Sequence, residues 1–482
     1  MKSRFFALFA CVVLISSACA ARGGREAAEQ DRAGGGGGVA APTRGSNSTN
    51  APSVEMFGTM EAPCGKTTKS GKTATVNPSE AGKGADKLYI GVASDRTASY
   101  PPELNKELWD ASVAFVQWCN ELGGIGGLPL EAVDLDAQVF NVPREIAVAC
   151  KSVFALVGGG WALDDQVFSG KEGEDFHKCK LIALPGFAVS TKFSEANGVI
   201  QAIPNPAHKK SLTWLTDLAK LYPDAVSKVA VLYGDLSSIK NNALQNIASM
   251  EASKSFGPIV QITYDISSEN DGPVVAQQVI DQGATAVNFV GEPSKFAKVK
   301  KSLADAGFTG PVFTDANQYD DGLFGSIKPS DADGTVVRIA FHPFEEADKF
   351  AATQKLVDIL TKYNPKGKRA SLSNQSFASL LLFSKSAMAC ADAGAITRKC
   401  IIQTAKQTSN WDSGGLHAAG NPGANEGPAC SALVAAKDAK WERVWPVAGT
   451  PEDENGFSCS HKELTSITGD FGEGLLDPTR DL

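Results

Sequence analysis

Residues 153–189, VFALVGGGWALDDQVFSGKEGEDFHKCKLIALPGFAV, decide how the rest of the chain is read. They hold a short apolar strand, the glycine run Gly158, Gly159, Gly160, an amphipathic segment, and a second strand that stops at Pro185-Gly186. In an open parallel α/β sheet ligands collect beyond the carboxyl ends of the strands, so residues 158–162 and 186–188 are expected to face a shared crevice. Trp161 is the residue there best able to cover a ligand.

Working outward, residues 87–93 read as a strand. In residues 101–122, Leu104, Leu108, Ala111, Phe115, Trp118 and Leu122 recur at three- and four-residue steps and make one apolar helix stripe. That helix stops at Gly123-Gly124. Residues 130–135 alternate as a strand, and Asn141 with Pro143 form the start of a helix over 144–151. This βαβαβ order requires a parallel sheet. After Pro204-Asn205-Pro206 the pattern resumes with helices over 210–221, 238–256, 272–282 and 293–306. Between them lie strands over 229–233, 259–264, 284–290 and 311–314, which make a second doubly wound unit. Beyond it come a strand over 335–341, helices over 345–363, 374–393 and 398–408, and a strand over 432–436.

A chain of 482 residues exceeds one ordinary core. Its net charge of -8 offers no basic face, which argues against nucleic acid and anionic membrane surfaces as partners. Lys2 and Arg4 precede an apolar run over 5–15, about the length of a signal peptide's core and too short to span a bilayer. The run ends in Ser16-Ser17-Ala18-Cys19, which resembles the lipobox of bacterial lipoproteins, with Ser16 where that motif prefers Leu. Residues 1–19 are thus expected to be a lipoprotein signal with Cys19 as the lipidated residue; the alternative is ordinary cleavage near Ala18 or Ala20. No later run approaches the roughly 20 apolar residues of a membrane span, so the body is expected outside the cytoplasm, lipid-anchored to the outer face of the cell membrane.

Residues 20–86 are poor in large apolar side chains and read as a flexible tether, with Cys64 the one hint of a link to the folded body. Setting aside Cys11 and Cys19, eight of the 10 cysteines remain, an even set that points to disulfides in an exported chain. Cys150 with Cys179 and Cys390 with Cys400 are the expected pairs; the other four stay open. None has zinc-ligand spacing, and no metal or cofactor is expected. There is no P-loop, no G-x-S-x-G elbow and no HExxH among the five histidines.

The run ELGGIGGLPLE over 121–131 lies between an amphipathic helix and a strand ending in Asp134 and Asp136. ALVGGG at 155–160, IALPG at 182–186, VAVLYGD at 229–235, VNFVG at 287–291 and AGF at 306–308 follow in order. Together they resemble type I periplasmic solute-binding proteins of the branched-chain amino-acid group, over about residues 87–446. The resemblance implies an α/β fold of two doubly wound parallel-sheet lobes joined by three crossovers. Lobe one would take residues 87–206 and 335–415, lobe two 207–334 and 416–446, with 447–482 a C-terminal tail. It implies a monomer that closes on a small polar solute, an amino acid, amide or related compound, and delivers it to an ABC permease, with no covalent chemistry. A ligand-sensing lipoprotein read by a membrane receptor, and a cell-envelope enzyme, are the alternative readings.

Carried over by position, the resemblance puts Trp161, Ala162 and Asp164 on one ligand loop and Phe187 and Ala188 on the next. Lobe two supplies Asp235, Glu292, Asp315 and Gln318, with Glu292 or Asp315 as the acid for an ammonium group. The first loop lacks the family's small hydroxyl residues, and the second is not small and polar as theirs is. An aromatic pair of Trp161 and Phe187 over carboxylates would instead suit a cationic or amide-bearing solute. The competing reading places Trp161 in hinge packing, Phe187 in the core, and Asp164-Asp165 as charge at a helix N-terminus.

Overall fold

The computed structural model describes residues 54–170, 174–480 and 482. The signal segment, Cys19 and the first part of the expected tether lie outside the described residues. No helix among the described residues is long and apolar enough to cross a membrane.

The first sheet is built from β1 (Leu88–Ser94), β2 (Leu130–Asp136), β3 (Ala155–Val157) and β4 (Ala183–Leu184), all parallel, in the order β2-β1-β3-β4. Every residue of β1 is buried, as a central parallel strand covered on both faces must be. Helix α1 (Lys106–Leu122) joins β1 to β2, and α2 (Val142–Ser152) joins β2 to β3. Leu108, Ala111, Phe115 and Trp118 form the buried stripe of α1, which closes at Gly123 in the left-handed conformation (φ 112°). The helix starts later than its periodicity suggests because Glu103 and Asn105 have φ of 56° and 57°. Of the amphipathic segment after β3, only a short 3-10 turn over Asp164–Phe168 is helical.

The second sheet follows α3 (Thr213–Leu221). It comprises β5 (Val229–Gly234), β6 (Ile259–Tyr264), β7 (Ala286–Val290), β8 (Val312–Thr314) and β9 (Thr335–Ile339), connected by α4 (Ser237–Ser253), α5 (Gly272–Asp281) and α6 (Pro293–Asp305). The chain then returns to the first lobe for α7 (Ala351–Tyr363), α8 (Ser371–Asp392) and α9 (Arg398–Lys406) before adding the hairpin β10 (Ala432–Lys437) and β11 (Lys440–Trp445). The sheet order is β11-β10-β9-β8-β7-β5-β6, with β10 and β11 antiparallel. Helix α8 packs on α1, with Phe377 against Phe115 at 5.3 Å and Ser376 Oγ 3.0 Å from Ser112 Oγ.

Three expectations are corrected. The resemblance puts strand β9 in lobe one, yet it pairs with β8 from Val312↔Thr335 onward and with β10, so the second lobe runs on through Ile339. Its Val336, Val337 and Ile339 are buried and need neighbours on both edges, which only the second sheet supplies. The described part of the expected tether is a docked segment. Phe57 is fully buried against Trp118 and Phe377, Val76 and Ala81 enter the same core, and Cys64 is bonded to Cys119 of α1. The low apolar content of this segment concealed it, because a few well-placed side chains suffice when they enter a core that is already built.

The C-terminal stretch is likewise no loose tail. Thr465–Ser466 pairs with Lys209–Lys210 at the first crossover, Thr191 Oγ1 donates to Phe471 O at 2.6 Å, and Arg480 Nη1 donates to Asn197 O at 3.1 Å. Cys430–Cys459 ties this stretch to the second lobe, so it touches both lobes. Cys150–Cys179 and Cys390–Cys400 pair as expected.

Candidate functional site

Between the carboxyl-terminal edges of the two parallel sheets lies a cavity of about 910 Å³ with walls from both lobes. This is near the upper end of the ~300–1,000 Å³ usual for small-molecule pockets.

The lobe-one wall is hung from two buried carboxylates. Asp95, directly after β1, accepts from Val139 N with Oδ1 and from Ala162 N with Oδ2, both at 2.7 Å. It thereby fixes two loops at once. Burial pushes its carboxyl up to about 6, against those two hydrogen bonds. The loop it holds carries Gln138 and Val139 at φ 51° and 73°, a conformation that a β-branched residue adopts only under constraint. Next to them Phe140 stands 71% exposed at the cavity wall. Asp164 accepts from Val189 N (2.7 Å) and Ser190 N (3.0 Å), which positions the loop carrying Phe187 and Ala188. Burial pushes its carboxyl up to about 7.

The glycine run is explained by close approach. A Cβ on Gly159 would lie 2.2 Å from Ala93 N, and one on Gly160 would lie 2.3 Å from Phe187 O. The loop therefore threads between β1 and the loop after β4 with no room for side chains.

Of the residues expected to touch solute, Ala162, Phe187, Ala188, Glu292 and Asp315 line the cavity. Four do not. Trp161 is 1% exposed in the lobe-one core, and its Nε1 donates to Leu135 O at 2.9 Å. It turned inward because its indole found an acceptor at the end of β2. Asp164 acts beneath the wall rather than in it. Asp235 lies outside the wall and accepts from Ile266 N at 3.3 Å. Gln318 is buried beneath the lobe-two loops, with Nε2 donating to Gly291 O at 2.7 Å.

The two acids expected to meet an ammonium group have other partners. Glu292 caps α6, accepting from Ser294 N at 2.6 Å and Lys295 N at 2.5 Å. Asp315 accepts from Asn246 Nδ2 and pairs with Arg338 Nη2, each at 3.1 Å.

The sequence reading missed Lys210, Arg338, Trp214 and Lys368, all in the cavity wall. Lys368 bridges the lobes, with Nζ 2.7 Å from Asp320 Oδ2 and 3.4 Å from Glu107 Oε2. Lys298 of α6 crosses in the same way, 5.2 Å from the ring of Tyr100. Arg338 carried a usable signal, since it is the single charge in the otherwise uncharged TVVRI of β9. Lys210 carried a weaker one, its place just past the Pro204-Asn205-Pro206 crossover.

Paired α/β lobes that meet around a large cleft define the class of two-lobed solute-binding proteins. A family model described as "Periplasmic binding protein" matches residues 87–440, and the chain belongs to that family. Its members are solute-binding proteins rather than enzymes, and they work outside the cytoplasm. Among solved structures, the fold is similar to that of a fatty acid ABC transporter substrate-binding protein from Thermomonospora curvata, with 17% identity, TM-score 0.61, and 78% of this chain and 95% of that one covered. A leucine-binding protein from Thermotoga maritima gives 12% identity and TM-score 0.59, covering 74% and 97%. A branched-chain amino acid transporter substrate-binding protein from Streptococcus pneumoniae, in complex with isoleucine, gives 15% identity and TM-score 0.57, covering 74% and 98%. No curated protein sequence matches the chain.

The Asp164 anchor predicts a pH effect. Its carboxyl is raised from 3.8 to about 7 in the folded state, so the stability it contributes is full below about pH 4 and is lost as pH rises through 7. Urea melts of the protein and of Asp164→Asn should therefore differ more in favour of the unmodified protein at acidic than at alkaline pH. A difference independent of pH would refute the assignment.

Proposed function

We propose that this chain captures a solute between its lobes, as a single copy, and hands it to an ABC importer from a lipid anchor at Cys19. The observation that carries this reading is the cavity of about 910 Å³ walled by both lobes. Capture and closure are one equilibrium, because a solute that touches both walls binds the closed state more tightly than the open one. The contacts of Lys368 with Glu107 and Asp320, and of Lys298 with Tyr100, join the lobes beside the cavity and support the same reading. The walls also bear on the kind of solute. The acids Glu292 and Asp315 are engaged elsewhere, and an aromatic cage of Trp161 with Phe187 does not form, so a small cationic solute has no prepared partner among them.

Binding is tested on the purified chain freed of co-purifying solute, by thermal shift together with small-angle scattering. At about a hundred times its Kd, a captured solute should stabilise the protein by roughly 2.7 kcal/mol and contract it. Stabilisation without contraction would place the solute on one lobe and defeat the closure reading.

A further inference from the structure

Most of the charges that line the cavity are already partnered; among the described residues, Lys210 and the exposed Glu269 have neither an oppositely charged partner nor a helix cap. Lys295 is held by Asp271, Lys209 by Glu426 at 2.5 Å, and Lys368 by Asp320 and Glu107. Arg338 is held by Asp315 at 3.1 Å and lies 5.7 Å from the Trp214 ring. Lys210 has no carboxylate within bonding distance among the described residues; its Nζ meets the side-chain oxygen of Asn205 at 2.8 Å. On the acidic side Glu107, Asp315 and Asp320 are taken by these cations, Glu292 by the α6 cap, and Glu103 by Lys106 at 3.7 Å. Glu269 lies on an exposed loop.

Two further groups stand in the Lys210 corner with their hydrogen-bonding capacity unused. Arg338 Nε is buried without an acceptor, and so is Ser431 Oγ, at 4% residue exposure. Pairing within the second lobe brings these residues together. Ser211 Oγ and Thr213 Oγ1 both donate to Ala429 O, and Arg338 and Ile339 on β9 stand opposite Leu433 and Ala432 on β10. Lys210, Arg338 and Asp315 together leave one net positive charge at the wall. The remaining wall is largely apolar, with Leu104, Phe140, Phe187, Ile203, Ile239 and Leu372 drawn from both lobes.

We infer that the solute is a monocarboxylate with an extended apolar body, its carboxylate seated on Lys210, Arg338 and Ser431 and its body lying between the lobes. This rests on the capture reading above. One net positive charge suits a carboxylate better than a dianion such as a phosphate monoester. An amino-acid zwitterion would bring an ammonium group that finds only engaged or rim acids. Unused donors beside an unpaired ammonium are what an anion needs, and a charge-assisted hydrogen bond from a half-buried lysine is roughly twice as strong as a neutral one.

The geometry also gives a pH signature. Burial, then the neighbouring Arg338 charge, lowers the Lys210 ammonium to about 7, while Asp315 and Glu195 oppose the shift. Lys209 and Glu426, beside it in sequence and space, are paired to each other. A carboxylate on Lys210 favours the protonated amine, so binding should take up a proton and weaken as pH rises through 7.

The test titrates the full chain, freed of bound solute, with hexanoate, decanoate and tetradecanoate, and with decanol and decylamine as controls. At least one carboxylate should bind at least about ten times tighter than either control. Lys210→Gln should weaken that carboxylate by about 10- to 100-fold, and Lys210→Arg should restore most of it. Affinity should fall with rising pH in the unmodified protein and stay level in Lys210→Arg, whose guanidinium does not titrate. Equal binding of decanol, undiminished binding by Lys210→Gln, or no binding by any of the carboxylates would each overturn the inference. Mass spectrometry of solute released from the purified chain separates the two levels of claim. A neutral or cationic solute there would leave capture standing and the carboxylate assignment refuted, whereas release of nothing, with no carboxylate bound, would remove both.

Discussion

Replacing Arg398 by methionine is expected to destabilise the protein by about 3–5 kcal/mol, because several buried backbone acceptors lose their donor at once. Arg398 is 8% exposed at the start of α9, and its guanidinium is spent on backbone carbonyls. Nε donates to Phe154 O at 2.8 Å, Nη1 to Cys179 O at 2.9 Å and Lys180 O at 3.3 Å, and Nη2 to Val153 O at 3.1 Å and Glu80 O at 3.4 Å. One side chain therefore joins the entry of β3, the disulfide loop before β4 and the docked N-terminal segment. Methionine keeps the apolar stem and removes every donor, leaving several buried acceptors unmet at about 1–3 kcal/mol each before relaxation. Lysine should rescue little, because a compact ammonium cannot reach acceptors spread around a planar fork. Urea denaturation reads the effect directly, and a loss under about 1 kcal/mol would show that these carbonyls find water instead.

The second large effect is expected at Gly159. Alanine there puts a methyl 2.2 Å from Ala93 N and 2.4 Å from Ala93 O, both backbone atoms of the central strand β1. Neither can yield, so the loop must lift, and the bond from Gly160 N to Ala93 O (2.9 Å) goes with it. Overpacking of this kind costs roughly 1–3 kcal/mol, and the lost bond about 1 kcal/mol more. The same displacement carries Ala162 away from the cavity, so solute affinity should drop along with the melting temperature. Unchanged stability and affinity in Gly159→Ala would mean that the loop has slack that its contacts do not show.

The fold was legible because its signals are local. Buried parallel strands read as short apolar runs, and the helices between them carry a three- and four-residue stripe, as in α1 with Leu108, Ala111, Phe115 and Trp118. Membership of a sheet is not local. Nothing in TVVRI says which lobe holds its neighbours, and only the pairing with β8 places β9 in the second sheet. The short strand β11 escaped notice because KWERVW has one buried residue, Trp441, among polar and half-buried ones.

The candidate site was legible only in outline. Position along the chain identified the loops, and Ala162, Phe187, Ala188, Glu292 and Asp315 do reach the cavity. Side-chain direction decided the rest. Trp161 and Phe187 lie on neighbouring loops, yet one indole found the carbonyl of Leu135 and turned inward while the phenyl ring had no such partner. Likewise Asp164 looks from sequence like an exposed acid at a helix start, but it is 1% exposed and holds up the neighbouring loop. The lysine and arginine corner lies outside the stretches of sequence that carry the resemblance, and it emerges only when residues 210, 338 and 431 line one cavity.

The stretch after Cys459 has a mechanical consequence. Three covalent crossovers leave a pair of lobes free to swing about a common axis, each contributing a few soft torsions. Here a fourth thread runs beside them: it is welded to one lobe by Cys430–Cys459, laid as a strand along Lys209–Lys210, and pinned to the other lobe through Phe471 and Arg480. A swing that widens the gap must slide or peel this thread, so the stretch acts as a fourth tie that opposes separation of the lobes.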